Sequence, residues 1–502
     1  MEVKVNMNKK PNILWICTEQ QRYDTIHALG NPYINTPNLD CQVKQGVAFE
    51  NTYTQCPICT PSRATFLTGR YPASHHVKQN GNDHFPENEV LVTKLLADVG
   101  YDCGLVGKLH LSRGDILEKR PKNDGYRFFK WSHHPNPDYP HGHAYADWLK
   151  EVKGVDPEEL YGQLSGSVGP GVPDELHQTT WCTEMAIEFI KQKRNGPWLL
   201  SLNPFDPHPP FDPPKEYLDR YNVEDLPYPL FEESDIEKQK SFREIDQQTR
   251  DAINPYKASA KNDTTKNVPR GDMGSIPPND YDPRYVKACY YAMIEKIDNS
   301  IGQIIKILKE TGQYENTIII FHADHGELLG DHGLIYKGCR FFESLVHVPL
   351  IISWPAKAIK NVRSSALVEL VDLAPTLLDA AGLEIPYYMQ GKSLLPILIG
   401  EKDRSYHKPY VVSEYQGTIG GDLMKDQTHG FMYYDGRYKI SIYQGYISGK
   451  TGEIYDLKED LGEFENLWNN LEYKDLKADL VYKAFNAYLN TSDTGILRTG
   501  VY

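Results

Sequence analysis

The sequence predicts an α/β chain: a large, mainly parallel sheet flanked by helices, followed by a smaller α+β subdomain. Three observations carry that prediction. Short apolar runs alternate with helical patterns through most of the chain, as βαβ units require. Ile294, Ile297, Ile301, Ile304, Ile305 and Leu308 recur at amphipathic-helix spacing, Gly312 closes that helix, and the run NTIIIFHADHGE follows. From about Glu401 the pattern changes to tyrosine-rich alternation, GFMYYDGRYKISIY and then GEIYDLKEDLGEFENLW, before a last helix. Residues 1–400 are therefore read as the main unit and residues 401–502 as the smaller one.

The strands expected in order are Asn12–Cys17, Gly104–Val106, Trp198–Asn203, Thr317–His322, Pro349–Ser353 and Tyr410–Ser413. The apolar stretch ILWIC is shorter than the roughly 7–15 residues of a signal-peptide core, and no small-residue cleavage site follows it. It reads as the first strand, and the chain as given reads as cytoplasmic; a leader already removed would leave the same sequence. No apolar run approaches the roughly 18 residues that a membrane span needs. Asp124–Val155, rich in His, Pro and Trp, and the polar, proline-punctuated Lys215–Asp282 read as long loops or insertions.

Composition narrows the function classes. A chain of 502 residues can bury one very large core. Its formal net charge of −14 argues against a nucleic-acid groove, although a locally basic pocket for a small anion stays open. The 34 tyrosines offer aromatic faces that suit sugar rings. Eight cysteines scattered through a large chain read as thiols rather than a disulfide framework.

The most specific stretch is CPICTPSRATFLTGRYP, Cys56 to Pro72. A redox reading of Cys56 and Cys59 needs a thioredoxin-like unit, which nothing around them resembles. A zinc reading needs a second ligand pair, and none is close by. The third reading fits the whole segment. Pro61 suits a first helical turn, so Cys59 lies just before a helix N-terminus, where N–H groups favour an anion, and Arg63 can point back to it.

These residues carry a family resemblance. CTPSRATFLTGR resembles the type I sulfatase signature, in which the cysteine is oxidised to formylglycine (3-oxoalanine) and its hydrated aldehyde is the nucleophile. The resemblance runs nearly end to end. KPNILWICTEQQRYDTI, NTPNLD, GLVGKLHLS, NPFDPHPPF, HADHGELLGDHGLIYKG and GEIYDLKEDLGEFENL are each similar to elements of that family, with Leu461 where proline is usual. It implies an alkaline-phosphatase-like fold, with residues 1–400 as the catalytic domain, and leaves Cys56 as a bystander.

By the same resemblance Glu19, Gln20, Asp324 and His325 hold one divalent metal, completed by the oxygen at position 59. The family usually has Asp where Glu19 stands, and Gln20 with His325 replaces the Asp and Asn of many relatives. Calcium suits an all-oxygen set, and an imidazole widens the choice to manganese, magnesium or zinc. A sulfate ester gathers charge on its leaving oxygen, so the site needs fixed cations and an acid. Arg63, Lys108 and Lys337 are the candidate cations, His110 the group beside formylglycine, and His208 the candidate general acid. Asn80 resembles a pocket residue found in a subset of the family.

His133, His134, His141 and His143 read as substrate recognition or loop chemistry rather than a second metal site, and Arg437 and Lys439 as strand-edge charges. The function expected is hydrolysis of sulfate esters, with a carbohydrate as the alcohol. The alternative is a phosphonate monoester or phosphodiester hydrolase using the same nucleophile, since Gln20, Asn80 and His325 are shared with such enzymes. A non-catalytic binding protein on this fold should have lost the nucleophile or a metal carboxylate, and all are present. A formylglycine-generating maturation enzyme is the expected partner. No nucleic-acid or membrane partner is expected, and an oligomer stays open.

Overall fold

The computed structural model describes residues 10–114, 117–135, 142–164, 167–249, 251–257, 282–417, 428–444, 452–493 and 495. Strands β1 (Asn12–Thr18), β2 (Gly46–Tyr53), β3 (Asp102–Gly107), β4 (Tyr126–Trp131), β5 (Trp198–Asn203), β6 (Thr317–Ala323), β7 (Leu350–Ser353) and β8 (Val362–Glu369) form one sheet. Their order is β4-β3-β5-β1-β6-β7-β2-β8, and β7 alone runs against the rest.

Sequence explains the middle of that sheet. Ile13, Trp15 and Cys17 of β1 enter the core on one face, and Leu14 and Ile16 on the other. A strand apolar on both faces belongs at the centre of a parallel sheet covered by helices on both sides. The helix Pro283–Glu310 supplies part of one cover, with Ile297, Ile301, Ile304 and Leu308 packed among Leu14, Ile16 and Phe321. All six of its predicted apolar positions are buried.

A second sheet is wholly antiparallel, in the order β12-β11-β10-β9. It comprises β9 (Val411–Gly417), β10 (Thr428–Tyr434), β11 (Tyr438–Gln444) and β12 (Gly452–Asp456). The Lys474–Thr491 helix seals one face, with Leu480, Ala484 and Ala487 against Phe431, Tyr433, Ile440 and Ile454.

Several expectations need correction. The strand expected at Tyr410–Ser413 runs instead from Val411 to Gly417 as β9, and within the 401–502 unit it pairs antiparallel with β10, not with the parallel strands that the sequence groups it with. The Asp124–Val155 stretch is not a plain loop. It contains β4, which pairs in parallel with β3, and the short helix Ala144–Trp148. Within Lys215–Asp282 the helices Lys215–Leu218 and Glu233–Lys240 form, while residues 250 and 258–281 lie outside the described residues. Lys439 is no edge charge: it is buried between Glu343 and Glu463, whereas Arg437 does pair with Asp456 at the surface. The eight cysteines are free thiols. No helix among the described residues is long and apolar enough to cross a membrane.

Candidate active site

Strand register builds the site. Parallel pairing of β1 with β6 sets Thr18 level with Ala323, so the next residues, Glu19–Gln20 and Asp324–His325, emerge side by side. On the other flank, pairing of β3 with β5 sets Gly107 level with Asn203, and Lys108 and the Pro204–His208 loop follow. Gly107 has φ +95°, and a Cβ there would lie 2.0 Å from the Asn203 carbonyl oxygen. Only glycine permits that approach, and it turns Lys108 into the site. The four adjacent strands β3, β5, β1 and β6 thus deliver polar groups at one sheet end, where ligands bind in such folds.

Cys59 reaches the same point from a different direction. It is the first residue of the Cys59–Thr68 helix, not the residue before it, and every residue of that helix is buried. Two contacts hold the buried N-terminus. The Thr60 N–H donates to Asn80 Oδ1 at 2.9 Å, and Ser62 Oγ donates to the Asp324 carbonyl at 2.6 Å. Cys59 Sγ then lies 2.6 Å from Glu19 Oε1, 3.2 Å from His325 Nε2 and 3.2 Å from Lys337 Nζ.

Arg63, one turn along, forks between the strand ends. Its Nε meets Asp324 Oδ2 at 3.0 Å, Nη2 meets Glu19 Oε2 at 2.7 Å, and Nη1 donates to the Lys108 carbonyl at 3.1 Å. Lys108 Nζ also pairs with Glu19 Oε2 at 3.0 Å. Lys337 Nζ donates to Gln20 Oε1 at 2.7 Å and lies 2.9 Å from His208 Nε2. Three fixed cations therefore face two carboxyl groups in a buried site, an excess that suits an anionic substrate in a chain acidic overall.

The same packing sets the protonation states. Burial alone would raise the Glu19 carboxyl, but Lys108, Arg63 and Lys337 hold it well below the usual range. Burial and the neighbouring Glu19 push Asp324 the other way. Two carboxyl groups at one place divide in this manner when only one charge is fully compensated. Burial, then Glu19, pushes the Cys59 thiol up to about 12. Burial and Lys337 keep His325 and His208 neutral.

These residues fit a divalent cation. Ligand atoms of Glu19, Cys59, Asp324 and His325 lie within 4.8 Å of one another. His325 Nδ1 faces the Gly326 carbonyl at 2.8 Å, which fixes the proton there and leaves the Nε2 lone pair toward Cys59. The Gln20 amide turns its oxygen inward, toward Lys337.

The remaining candidates stand further out. His110 takes a left-handed φ of 55°, and its ring packs edge-on against His133 with centroids 4.5 Å apart. Its Nδ1 is buried without a hydrogen-bond partner, and burial with Lys108 keeps the ring neutral. Asn80 is half-buried and acts first as a cap for Thr60. His134 packs at 6.2 Å from Phe205, which itself lies 4.5 Å from His208, so this loop walls the site. His143 caps the Ala144–Trp148 helix, and His141 lies outside the described residues.

Two residues escape sequence reasoning. Glu118 accepts the backbone N–H groups of His110, Leu111 and Ser112 and the Trp131 indole, pinning the loop after β3. Glu327 accepts from the Gln20 side chain. The only signal for it was its position directly after Asp-His-Gly.

A family profile described as "Sulfatase" matches residues 11–383, and one described as "N-sulphoglucosamine sulphohydrolase, C-terminal" matches residues 330–488. An arylsulfatase of Clostridium perfringens is 30% identical over 481 residues, covering 93% of this chain and 92% of the relative. An N-acetylglucosamine-6-O-sulfatase of Bacteroides thetaiotaomicron is 26% identical, covering 94% of this chain and 85% of the relative. The crystal structure of a phosphonate monoester hydrolase of Agrobacterium radiobacter shares the fold, with TM-score 0.78, 23% identity and 97% of each chain covered.

Proposed function

Since the chain belongs to the sulfatase family and is a sulfuric ester hydrolase, we propose that it acts on a carbohydrate sulfate and uses position 59, as formylglycine, for attack at sulfur. One observation carries this reading. Cys59 sits where three cations and two carboxyl groups converge, yet its thiol is held up to about 12 and donates to Glu19. A thiol in that state is a poor nucleophile at neutral pH, so the position makes chemical sense once converted. Formylglycine would supply, as its hydrate, one hydroxyl to attack sulfur and a second whose deprotonation releases sulfate.

Glu19, Gln20, Asp324 and His325, with position 59, would hold one divalent cation. Such an ion supplies positive charge opposite the sulfuryl oxygens and lowers the pKa of a hydroxyl beside it. Calcium is the ion proposed, and the imidazole of His325 also admits manganese, magnesium or zinc. Arg63 locks the two carboxylates in place, and Lys108 and Lys337 face the sulfuryl oxygens. Lys337 Nζ donates to the neutral His208 Nε2 across 2.9 Å, and we assign to His208, supplied by Lys337, the proton that goes to the departing alcohol oxygen. The neutral ring of His110, with its unpartnered Nδ1, suits a base for the second hydroxyl. All of these side chains lie within residues 1–400, which supports reading that span as the catalytic domain and 401–502 as its C-terminal subdomain.

The carbohydrate assignment draws on the sugar sulfatase among the relatives and on Phe205 and the His133–His134 wall beside His208, faces suited to a sugar ring. The second reading, phosphonate or phosphodiester hydrolysis, rests on Gln20, Asn80 and His325 and on the shared fold. A side-by-side assay of aldehyde-bearing protein decides between them. We expect kcat/KM for an aryl sulfate to exceed that for the matching aryl phosphonate, and a sulfated saccharide to exceed both, since contacts remote from sulfur can lower the barrier. A clear preference for the phosphonate would reverse the assignment.

A further inference from the structure

Gln20 is pinned at every point but one. Its backbone takes a left-handed φ of 63°. Its N–H donates to Asp324 Oδ1 at 2.9 Å, and its carbonyl accepts from the Tyr290 hydroxyl at 2.6 Å. What remains free is the orientation of the side-chain amide. Its two ends are nearly equal in size and opposite in chemistry: the oxygen can meet a cation, and the NH2 repels one.

Glu327 addresses that freedom. It is wholly buried, at the start of the loop after β6, and its Oε1 accepts the N–H groups of Leu329 (2.9 Å) and Tyr336. Its Oε2 accepts from Gln20 Nε2. On the far side of the amide, Lys337 Nζ, which can only donate, meets Gln20 Oε1 at 2.7 Å. An acceptor on one side and a donor on the other leave a single orientation. Lys337, however, also contacts Cys59 and His208, so it is placed to shift when substrate enters. Glu327 touches none of the reacting groups and can hold the amide throughout.

We propose that Glu327 is a positioning residue that locks the Gln20 amide with its oxygen toward the metal position. This rests on the reading of Gln20 as a metal ligand. Groups that orient a metal ligand in this way typically change metal affinity by about 10–100-fold when removed. In Glu327→Gln the new amide oxygen must keep the Leu329 and Tyr336 N–H groups, so its NH2 faces Gln20. Two NH2 groups then oppose each other, and the Gln20 amide turns its nitrogen inward.

The exchange Gln20→Glu with Glu327→Gln reverses the pair while keeping every hydrogen bond and the total charge. Calcium and manganese affinity of the full-length protein, by titration calorimetry, should fall at least about tenfold in Glu327→Gln. It should return to the wild-type value or above in the double exchange. Melting temperatures of the metal-free proteins monitor folding, and the double exchange keeps the test open if Glu327→Gln alone folds poorly. Wild-type affinity in a folded Glu327→Gln, or a loss that the exchange does not relieve, would overturn the proposal. Wild-type affinity in Gln20→Ala would instead remove Gln20 from the ligand set, and the proposal with it.

Discussion

Two buried charge clusters in this molecule have nearly the same ingredients and different fates. One is the site: Glu19, Asp324, Arg63, Lys108 and Lys337. The other joins the end of β8 to the small sheet: Glu369, Asp372, His407 and Lys408. In the second cluster each carboxylate is saturated. Asp372 takes Lys408 at 2.7 Å and the N–H groups of Lys392 and Glu369. Glu369 takes Lys408, the Tyr71 hydroxyl and the Val412 N–H. Burial alone would raise Asp372, but Lys408 and His407 hold it low. In the site, Asp324 is driven up while Glu19 is driven down, donor atoms converge on one point, and Gln20 and His110 adopt left-handed backbone conformations. A saturated cluster fastens two parts of a fold together. The site's carboxylates are as fully bonded; what sets them apart is that Asp324 is driven up beside Glu19 and that metal-ligating atoms of four residues gather at one point, as a ligand site requires.

The sharpest way to break this contrast is to remove a carboxylate from the site. Asp324→Asn should abolish turnover and metal retention, measured by assay and elemental analysis, while the metal-free protein stays as stable as wild type or gains stability. The sign follows from the raised carboxyl. Asp324 binds its proton more tightly folded than unfolded, so its contribution to stability is present below the ordinary Asp range and lost as pH rises through the raised value. Asp324→Asn should lack that decline in urea titrations of metal-free protein across pH. Added calcium should then raise the melting temperature of wild type only.

The opposite outcome is expected for the second cluster. Lys408→Met leaves two buried carboxylates without their cation and should cost about 3–5 kcal/mol in urea unfolding. Turnover per folded molecule should be unchanged. A stable Lys408→Met would show that the two clusters do not differ as described. Gln20→Ala should fall between: an amide contributes a lone pair but no charge, so partial turnover should survive, in contrast to Asp324→Asn. The smallest effect is expected at Asn80, whose oxygen caps Thr60. Asn80→Ala should cost about 1 kcal/mol of stability, the usual loss for a helix cap, with a modest fall in kcat/KM.

Much of the site was legible because its residues follow apolar strands directly. ILWIC leads to Glu19, IIIFHA to Asp324, and CTPSR carries its own helix signal. The parallel register then made their convergence a matter of chain order. What stayed hidden depends on partners distant in sequence. Tyr410–Ser413 lies in the stretch read as the smaller unit, but its antiparallel pairing and its extension to Gly417 depend on β10, a partner farther along the chain. β2 and β8 interrupt their apolar runs with Glu50, Asn51, Arg363 and Ser365, so neither reads as a core strand. Glu118 and Glu327 look like surface carboxylates in sequence. They are buried because each gathers several N–H groups from segments that only the fold brings together. Asn80 showed itself as a pocket residue, but its hold on the helix N-terminus depends on a contact twenty positions away.

The central claim is that sulfate ester hydrolysis depends on conversion of Cys59. Protein prepared with graded amounts of a maturation enzyme can be digested, and the aldehyde at position 59 quantified by peptide mass spectrometry beside aryl sulfate turnover. Turnover should rise in direct proportion to the aldehyde fraction at position 59, reach zero where that fraction is zero, and show no dependence on Cys56. Full turnover in protein whose Cys59 remains a thiol would contradict the mechanism.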